Sequence, residues 1–522
     1  MKVLLITGKL AQDAVKKYAK QSNVKTEVFA LNVQVAAFLN PQTIIQALKT
    51  KSLKDINMIL VPGLSQGNTS TITQTFGVPT FKGPKYAADL PVILNMLHKV
   101  QLSMTVPACD LLRDILTKQA LREIEHAEQN SKEFLKKPGS MLIKNLVISK
   151  ELPMRVMAEI VDAALMDDTE IQFFAKRFVA QGAHIIDLGM LAGQSNPEKA
   201  KRMVKAVKAV VDVPVSIDTL DPEEIKAAVS VGADLIVSAD AGNLEEIAPF
   251  ANDVPIVIIP TNQREGYFPK TAQERVKLLE ELIAKARKLG FTKIIADLIL
   301  EPSNVLESFI AYQEFGNRNP NVPLFVGVAN VTELFDADSI GLNALLARLS
   351  SEVGACIMLA TEKSSKTKGT AREEVEAAKM MYLAKKRGSV PKDLGVELLV
   401  LKDKRSREEP YNAQMESEAK VTWATVEVEP AILDSESMFK IAVDRNEQAI
   451  VAMQFTSATM DKPVNIIKGK TAETVYSTIV HLGLVSQLDH AAYLGNELQK
   501  AEVALKTGKE YLQDNEIFKK KW

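Results

Sequence analysis

Acidic side chains stand at the ends of a series of short apolar runs in the middle of this chain. Glu159 and Asp162 close the run that opens at Arg155, Asp187 lies in IIDLG, Asp218 in SIDT, Ser238 and Asp240 in VSAD, Asp297 in IIAD, and Asn330 ends GVAN. A single acid in such a place is ordinarily the N-cap of the next helix, the role expected of Asp221, Asn243 and Asp338. Six carboxyls spread over five such runs call for a shared cause. One is a hard divalent cation such as Mg2+, which takes carboxylate oxygens. The other is a heterocycle with several N–H donors, because a carboxylate accepts two parallel hydrogen bonds from an amino-amidine edge and burial makes that pairing selective. Histidine adds little to a metal set: His184 opens its run, and His98 and His126 lie outside the series. Recognition is the reading favoured for Asp218 and Asp297, with Mg2+ on the carboxylates left open.

A second feature follows the last apolar run. In ATEKSSKTKGTAREE, Lys363, Ser364, Ser365, Lys366, Thr367, Lys368 and Gly369 precede a helix start. Cations, hydroxyls and backbone N–H groups at a helix N-terminus suit a phosphate, although a solvated basic loop has the same composition. The segment from Gly63 to Thr69 is rich in Gly, Ser and Thr but matches neither a P-loop nor GxGxxG, and reads as structural. His481, Asp489 and His490 near the end of the chain read as surface or interdomain residues.

The elements that must position these groups follow from periodicity. Strand-like runs at 155–161, 184–188, 215–218, 235–238, 256–259, 294–297, 324–328 and 356–359 are each followed by a helical stretch, opening near Thr169, Pro197, Pro222, Leu244, Thr271, Ser303, Asp338 and Thr370. Eight even β/α units predict a (β/α)8 TIM barrel over residues 141–390, whose functional residues belong at the C-terminal ends of its strands. Before it, KVLLITG, KTEVFAL and INMILVPG with helical spacers predict a small Rossmann-like parallel α/β domain, and a helix over 107–137 completes an N-terminal unit of residues 1–140. After it, a charged linker (402–409), the strand-like pieces KVTWATVEVEP, MFKIAVD and AIVAMQF, and two helical stretches predict a C-terminal α+β domain over 391–522.

Bulk properties agree with a small-molecule protein. The 522 residues exceed what one core organises. A net charge of −1 with a 25% charged fraction gives no electrostatic reason to bind nucleic acid or a membrane. The two cysteines, Cys109 and Cys356, are too far apart in sequence and too few for a disulfide framework or zinc site. With no signal-like or spanning apolar segment, a cytoplasmic location is expected.

The segments GAHIIDLG (182–189) and VPVSIDT (213–219) resemble GADIIDVGG and VPISVDT of the pterin-binding barrels of dihydropteroate synthases and pterin-dependent methyltransferases. The phrases DADSIGLNALLA, AKKRGSVPKDLG and LDHAAYLG extend the resemblance over the whole chain, to archaeal dihydropteroate synthase-like proteins associated with tetrahydromethanopterin biosynthesis. The resemblance implies a transferase that joins 6-hydroxymethyl-7,8-dihydropterin diphosphate to an arylamine, 4-(ribofuranosyl)aminobenzene 5′-phosphate, with loss of diphosphate. By position it makes Asp218 and Asp297 pterin-binding, with Ser238 or Asp240 where the synthase has asparagine and Asn330 against the pterin ring. Asp187 would serve catalysis, Glu159 or Asp162 would hold Mg2+, and Lys363, Ser364 and Lys366 would receive the phosphate of the amine. Three synthase features are replaced: the first-strand asparagine segment by MAEIVDAALMDD, the arginine after Asp187 by MLAGQS, and the lysine after strand seven by Ala329–Thr332. The last replacement resembles the methyltransferases, so methyl transfer to a corrinoid protein stands as an alternative, as does a non-catalytic pterin scaffold. A homodimer is a possible assembly.

Overall fold

The computed structural model describes residues 1–404, 411, 413–418, 420–424, 434, 437–457 and 461–518. The chain forms two compact units: Met1–His126 with Ser389–Thr422, and Ala127–Gly388 with Trp423–Trp522. The expected C-terminal domain is thus divided between them.

In the first unit, β1 (Lys2–Thr7), β2 (Lys25–Ala30), β3 (Met58–Val61) and β4 (Thr80–Lys82) form a parallel sheet in the order β2-β1-β3-β4. Helices α1 (Gln12–Ala19), α2 (Pro41–Leu48), α3 (Ser70–Phe76) and α4 (Leu90–Asn95) connect or follow the strands. The first three strands are those expected; β4 is too short to show periodicity. The long helix α5 runs over Ala108–Gln129. In the loop after β3 the Ser65 hydroxyl donates to the Pro62 carbonyl, and the buried Lys82 ammonium donates to the Ser65 carbonyl and hydroxyl.

The second unit opens with a hairpin, β5 (Met141–Ile143) and β6 (Leu146–Ile148), and continues as a closed parallel barrel. Its strands are β7 (Arg155–Ile160), β8 (Ile185–Gly189), β9 (Val215–Asp218), β10 (Leu235–Ala239), β11 (Ile256–Ile258), β12 (Ile294–Ala296), β13 (Leu324–Val326) and β14 (Ala355–Thr361). The helices between and after them are α6 (Asp168–Ala180), α7 (Pro197–Lys208), α8 (Pro222–Ser230), α9 (Leu244–Ala251), α10 (Ala272–Lys288), α11 (Val305–Arg318), the short α12 (Ala329–Thr332), α13 (Ser339–Val353) and α14 (Thr370–Arg387). Strand runs of Val, Ile, Leu and Ala bury both faces, as a parallel barrel sheathed in helices requires.

Several helix starts are written locally. Asp167 and Thr271 form capping boxes with Glu170 and Glu274, and the Asp221 carboxylate accepts from the Glu223 and Glu224 amides. Asn243 and Asp338 occupy cap positions without making the side-chain bond. Asn243 instead accepts from the Asp240 amide and donates to the Leu220 carbonyl.

The barrel interior holds Met157, Ile185, Val237, Val257, Ile295 and Phe325, and Ile143 and Ile148 of the hairpin join this cluster. The hairpin closes the N-terminal end: Arg155 Nε, at the first residue of β7, donates to the Val147 carbonyl at 2.9 Å. The fully buried Arg155 also makes two bonds to Glu128, at 2.6 and 3.0 Å. With that end filled, ligand chemistry is confined to the C-terminal mouth.

The rest of this unit is a three-stranded antiparallel sheet, β15 (Met438–Asp444), β16 (Ala449–Phe455) and β17 (Asn465–Gly469), packed on α15 (Ala472–His481) and α16 (Leu488–Thr507). MFKIAVD and AIVAMQF are strands as expected, whereas residues 420–424 of KVTWATVEVEP form none and 425–430 lie outside the described residues. His490 is corrected from surface to core: it is 1% exposed and meets the Asp434 carboxylate at 2.8 Å. Hydrogen bonds, that from Ser486 foremost, bring the Asp434 carboxyl down to about 2. Among the described residues, no helix is long and apolar enough to cross a membrane.

Replacing Asp221 by Ala removes the acceptor of two amides and is expected to cost about 1 kcal/mol. Hydrogen exchange at Glu223 and Glu224 should accelerate while the amides of α10, which has its own cap, stay unchanged.

Candidate active site at the barrel mouth

Parallel register decides which acids meet. Glu159 on β7 pairs with Asp187 on β8, and Asp187 with Ser216 on β9. Residues two apart share a face of a strand, so Asp218 lies on the side of Ser216, one layer nearer the mouth. Oxygens of Glu159, Asp187 and Asp218 accordingly lie within 4.8 Å of one another. Gly189 makes room for them: a Cβ there would stand 2.6 Å from Glu159 Oε1.

The cluster is short of compensating charge. Asp187 Oδ1 accepts from the Ser216 hydroxyl at 2.5 Å, but its Oδ2 is buried with no hydrogen-bond partner. Burial, reinforced by the charges of Asp187 and Asp162, pushes Glu159 up to about 8. Burial raises Asp187 to about 6 against the Ser216 bond, and raises Asp218 well above the carboxylate range with help from the neighbouring acids.

Asp297 stands apart, past the end of β12. Its Oδ1 accepts from the Tyr312 hydroxyl on α11 and from the Ile299 amide at 2.8 Å. Burial is the larger effect and places the carboxyl at about 6 despite these donors. Ile299 has φ of 63°, an unfavourable conformation for a β-branched residue. Arg275 on α10 holds it there. Its guanidinium, fully buried, donates to the Ile299 carbonyl at 3.0 Å, the Ser308 hydroxyl at 3.1 Å and Glu301 at 2.5 Å. Asn330 completes the clamp, donating to the Leu300 carbonyl at 3.2 Å.

The other expected residues divide. Ser238 is the last residue but one of β10, and its carbonyl accepts from Asn243 at 3.5 Å. Asp240 is corrected from ligand binder to turn holder, because its oxygens accept from Gly242 N, Thr261 Oγ1 and Gln263 N at 2.7–2.8 Å. Asp162 is corrected as a partner of Glu159 in a metal set: it pairs with Lys363 at 3.2 Å, while Glu159 clusters with Asp187 and Asp218.

In the basic loop, the donors expected to hold a phosphate already hold a carboxylate. Glu333 accepts from the Lys363 and Ser364 amides and from the hydroxyls of Thr361 and Thr367. Lys366 is turned to the Phe335 carbonyl and Asp336, and Lys368 to Glu510. The expectation for Ser364 and Lys366 is therefore corrected; Lys363, 62% exposed at its side chain, keeps its ammonium at the mouth.

Sequence reasoning missed Ser216, Arg275, Tyr312 and Glu333. Ser216 carried a signal, two residues before Asp218 and on its face. Arg275 carried another, as a cation on the apolar stripe of Val276, Leu279, Leu282 and Ala286. Tyr312 and Glu333 carried none.

Across the whole chain, the protein is 42% identical to "Uncharacterized protein MJ0107" of Methanocaldococcus jannaschii, with 99% of each chain aligned. The chain belongs to that protein's family. Residues 160–379 match the family described as Pterin binding enzyme, residues 433–514 one named PterinBD-DUF4346, and residues 1–85 a family of unknown function. A 129-residue stretch is 33% identical to the dihydropteroate synthase of Streptococcus pyogenes, covering 22% of this chain and 48% of that one. The structure of Yersinia pestis DHPS with a pterine-sulfa conjugate aligns over 47% of this chain and 99% of its own, at 18% identity and a TM-score of 0.39. The stretch similar to pterin-binding enzymes thus coincides with the barrel.

The acid cluster gives stability a definite pH dependence. Unfolded carboxyls titrate near 4, whereas Asp187 and Asp297 hold protons to about 6 and Glu159 to about 8. The folded protein binds the extra protons, so stability should fall as pH rises from about 4 to about 8. In chelator-treated buffer the melting temperature should drop over that range, and Asp218→Asn should flatten the drop; a profile that rises instead would contradict the geometry.

Proposed function

We propose that the barrel transfers the pterin-methyl group of 6-hydroxymethyl-7,8-dihydropterin diphosphate to an arylamine, with release of diphosphate. The observation that carries the reading is the acid pair Asp218 and Asp297 in a mouth closed below and joined to the pterin-binding family above. Asp297 is held through Oδ1, and among the described residues no protein donor reaches its Oδ2, which is left for an amino-amidine edge. Asp218 ends β9 beside Ser238 on the neighbouring β10, and Asp297 follows β12 beside the connection after β13 that carries Asn330.

In the reaction the bond from the pterin methylene to the diphosphate oxygen breaks, its electron pair leaving with diphosphate. The amine nitrogen forms the new C–N bond and yields a proton to solvent. The carboxylates fix the pterin and oppose positive charge developing on the methylene, which is positioning and electrostatics rather than covalent catalysis. The donor set fits Mg2+: Glu159 and Asp187 offer hard oxygens, one of them buried without a partner. Bound there, the ion would supply positive charge for the departing diphosphate. For the amine, 4-(ribofuranosyl)aminobenzene 5′-phosphate would find a cation in Lys363. Asn330 at the seventh strand end also supports a second reading, methyl transfer from a methylated tetrahydropterin to a corrinoid protein.

Diphosphate release with Mg2+ should require the amine, and Asp297→Asn should lower kcat/KM by about 10- to 100-fold, the value of a charge-assisted hydrogen bond. Pterin affinity should weaken as pH falls through about 6, where Asp297 takes up its proton. No release with either the phosphorylated amine or p-aminobenzoate, together with labelled methyl transfer to a corrinoid protein, would favour the second reading. Lys363→Ala should raise KM for the phosphorylated amine several-fold and leave p-aminobenzoate unaffected, whereas Lys366→Ala should change neither.

A further inference from the structure

The first unit has a ligand-sized cavity that the barrel chemistry does not use. The chain runs from β1 to β2 on one side of the sheet and returns to β3 on the other, so the strand order reverses between β1 and β3. At such a switch point in an open parallel sheet the connections part, leaving a crevice beyond the C-terminal strand ends. A cavity of about 370 Å3 lies there, bounded by Thr7 at the end of β1, Pro62 after β3 and Pro84 after β4. That volume falls within the range of small-molecule sites.

Residue size creates the space. Ala11 and Ala14 on the α1 side and Ala36 and Ala37 after β2 are among the residues that line the cavity, and larger side chains at these positions would reduce it. The neighbouring loops pack backbone against backbone: a Cβ on Gly63 would stand 2.7 Å from the Gly83 carbonyl, and one on Gly8 2.8 Å from the Gln34 carbonyl. Tyr18, Lys17 and Lys85 join a lining that is otherwise mostly apolar. Lys85 is oriented by Asp110 at 2.7 Å, while the Lys17 ammonium lies over the Tyr18 ring, 5.6 Å from its centroid. Among the described residues, no acidic side chain lines the cavity.

From the cavity, its place at the switch point and its lysines, we infer that this unit is a second binding site, for a small aromatic molecule carrying an anionic group. The aromatic body would lie against the alanines and Tyr18, and the anion would meet Lys17 at the rim. The site is separate in sequence from the barrel acids and does not depend on the reaction proposed for them.

The test uses the full chain with two fluorescent probes of similar aromatic body, 8-anilino-1-naphthalenesulfonate and the uncharged N-phenyl-1-naphthylamine. The sulfonate should bind one saturable site. Ala14→Leu, a substitution compatible with the helix, should weaken both probes at least tenfold; Lys17→Gln with Lys85→Gln should weaken the sulfonate selectively. Circular dichroism and melting temperature verify that each variant folds, and Asp297→Asn serves as a control that should leave probe binding unchanged. Unsaturable binding, or binding unchanged in a folded Ala14→Leu protein, would overturn the site. Equal loss of both probes in the lysine variant would overturn its anion specificity.

Discussion

Closure of eight parallel strands forces Glu159, Asp187 and Asp218 into one small volume, and the rest of the mouth is organised around that concentration of acid. In a closed barrel the inward residues of neighbouring strands cannot avoid each other, and the hairpin below excludes water from the other end. The three carboxyls therefore cannot all be ionised without a partner. Protons satisfy them in the isolated protein; a cation or a ligand rich in N–H donors satisfies them in use. A site that is costly when empty and neutralised when filled gains selectivity for its ligand from the same burial that raises its carboxyl groups.

Asp297 solves a different problem. It must remain available as an acceptor, so its surroundings supply donors on one oxygen and leave the other. The strained Ile299 backbone turns its amide toward the carboxylate, and such a conformation persists only where neighbours hold it. Arg275, Ser308, Glu301 and Asn330 provide that support from three separate strand-helix connections. A guanidinium suits the task because its planar array of donors can engage several carbonyls and a carboxylate at once. The clamp also gives Asn330 a structural duty alongside any contact with a bound ring.

The loop after β14 shows how composition alone can mislead. Its amides and hydroxyls form the anion-receiving cradle that residue types suggest, but Glu333, from the connection before α13, reaches in and occupies it. Those donors hold the Glu333 carboxyl below its usual range against the cost of burial. The loop is thereby a rigid wall of the mouth, with Lys363 as its outward cation.

How far the chain could be read follows from the range of the forces involved. The eight strand-helix units, the cap at Asp221, and the rim positions of Asp187, Asp218 and Asp297 were legible because periodicity and capping act over a few residues. Burial of Arg275 was legible in principle, as a cation on an apolar stripe. The grouping of Glu159 with Asp187 rather than Asp162, the diversion of Asp240 into a turn, the Tyr312 bond to Asp297 and the filling of the β14 loop by Glu333 join residues 15 to 34 positions apart or on different strands. The sequence by itself determined which elements form and which acids reach the rim, since those depend on local pattern. Only the tertiary structure decided which acids share a volume and which donors are already taken, because register and barrel closure bring together side chains whose separation along the chain carries no trace of their meeting.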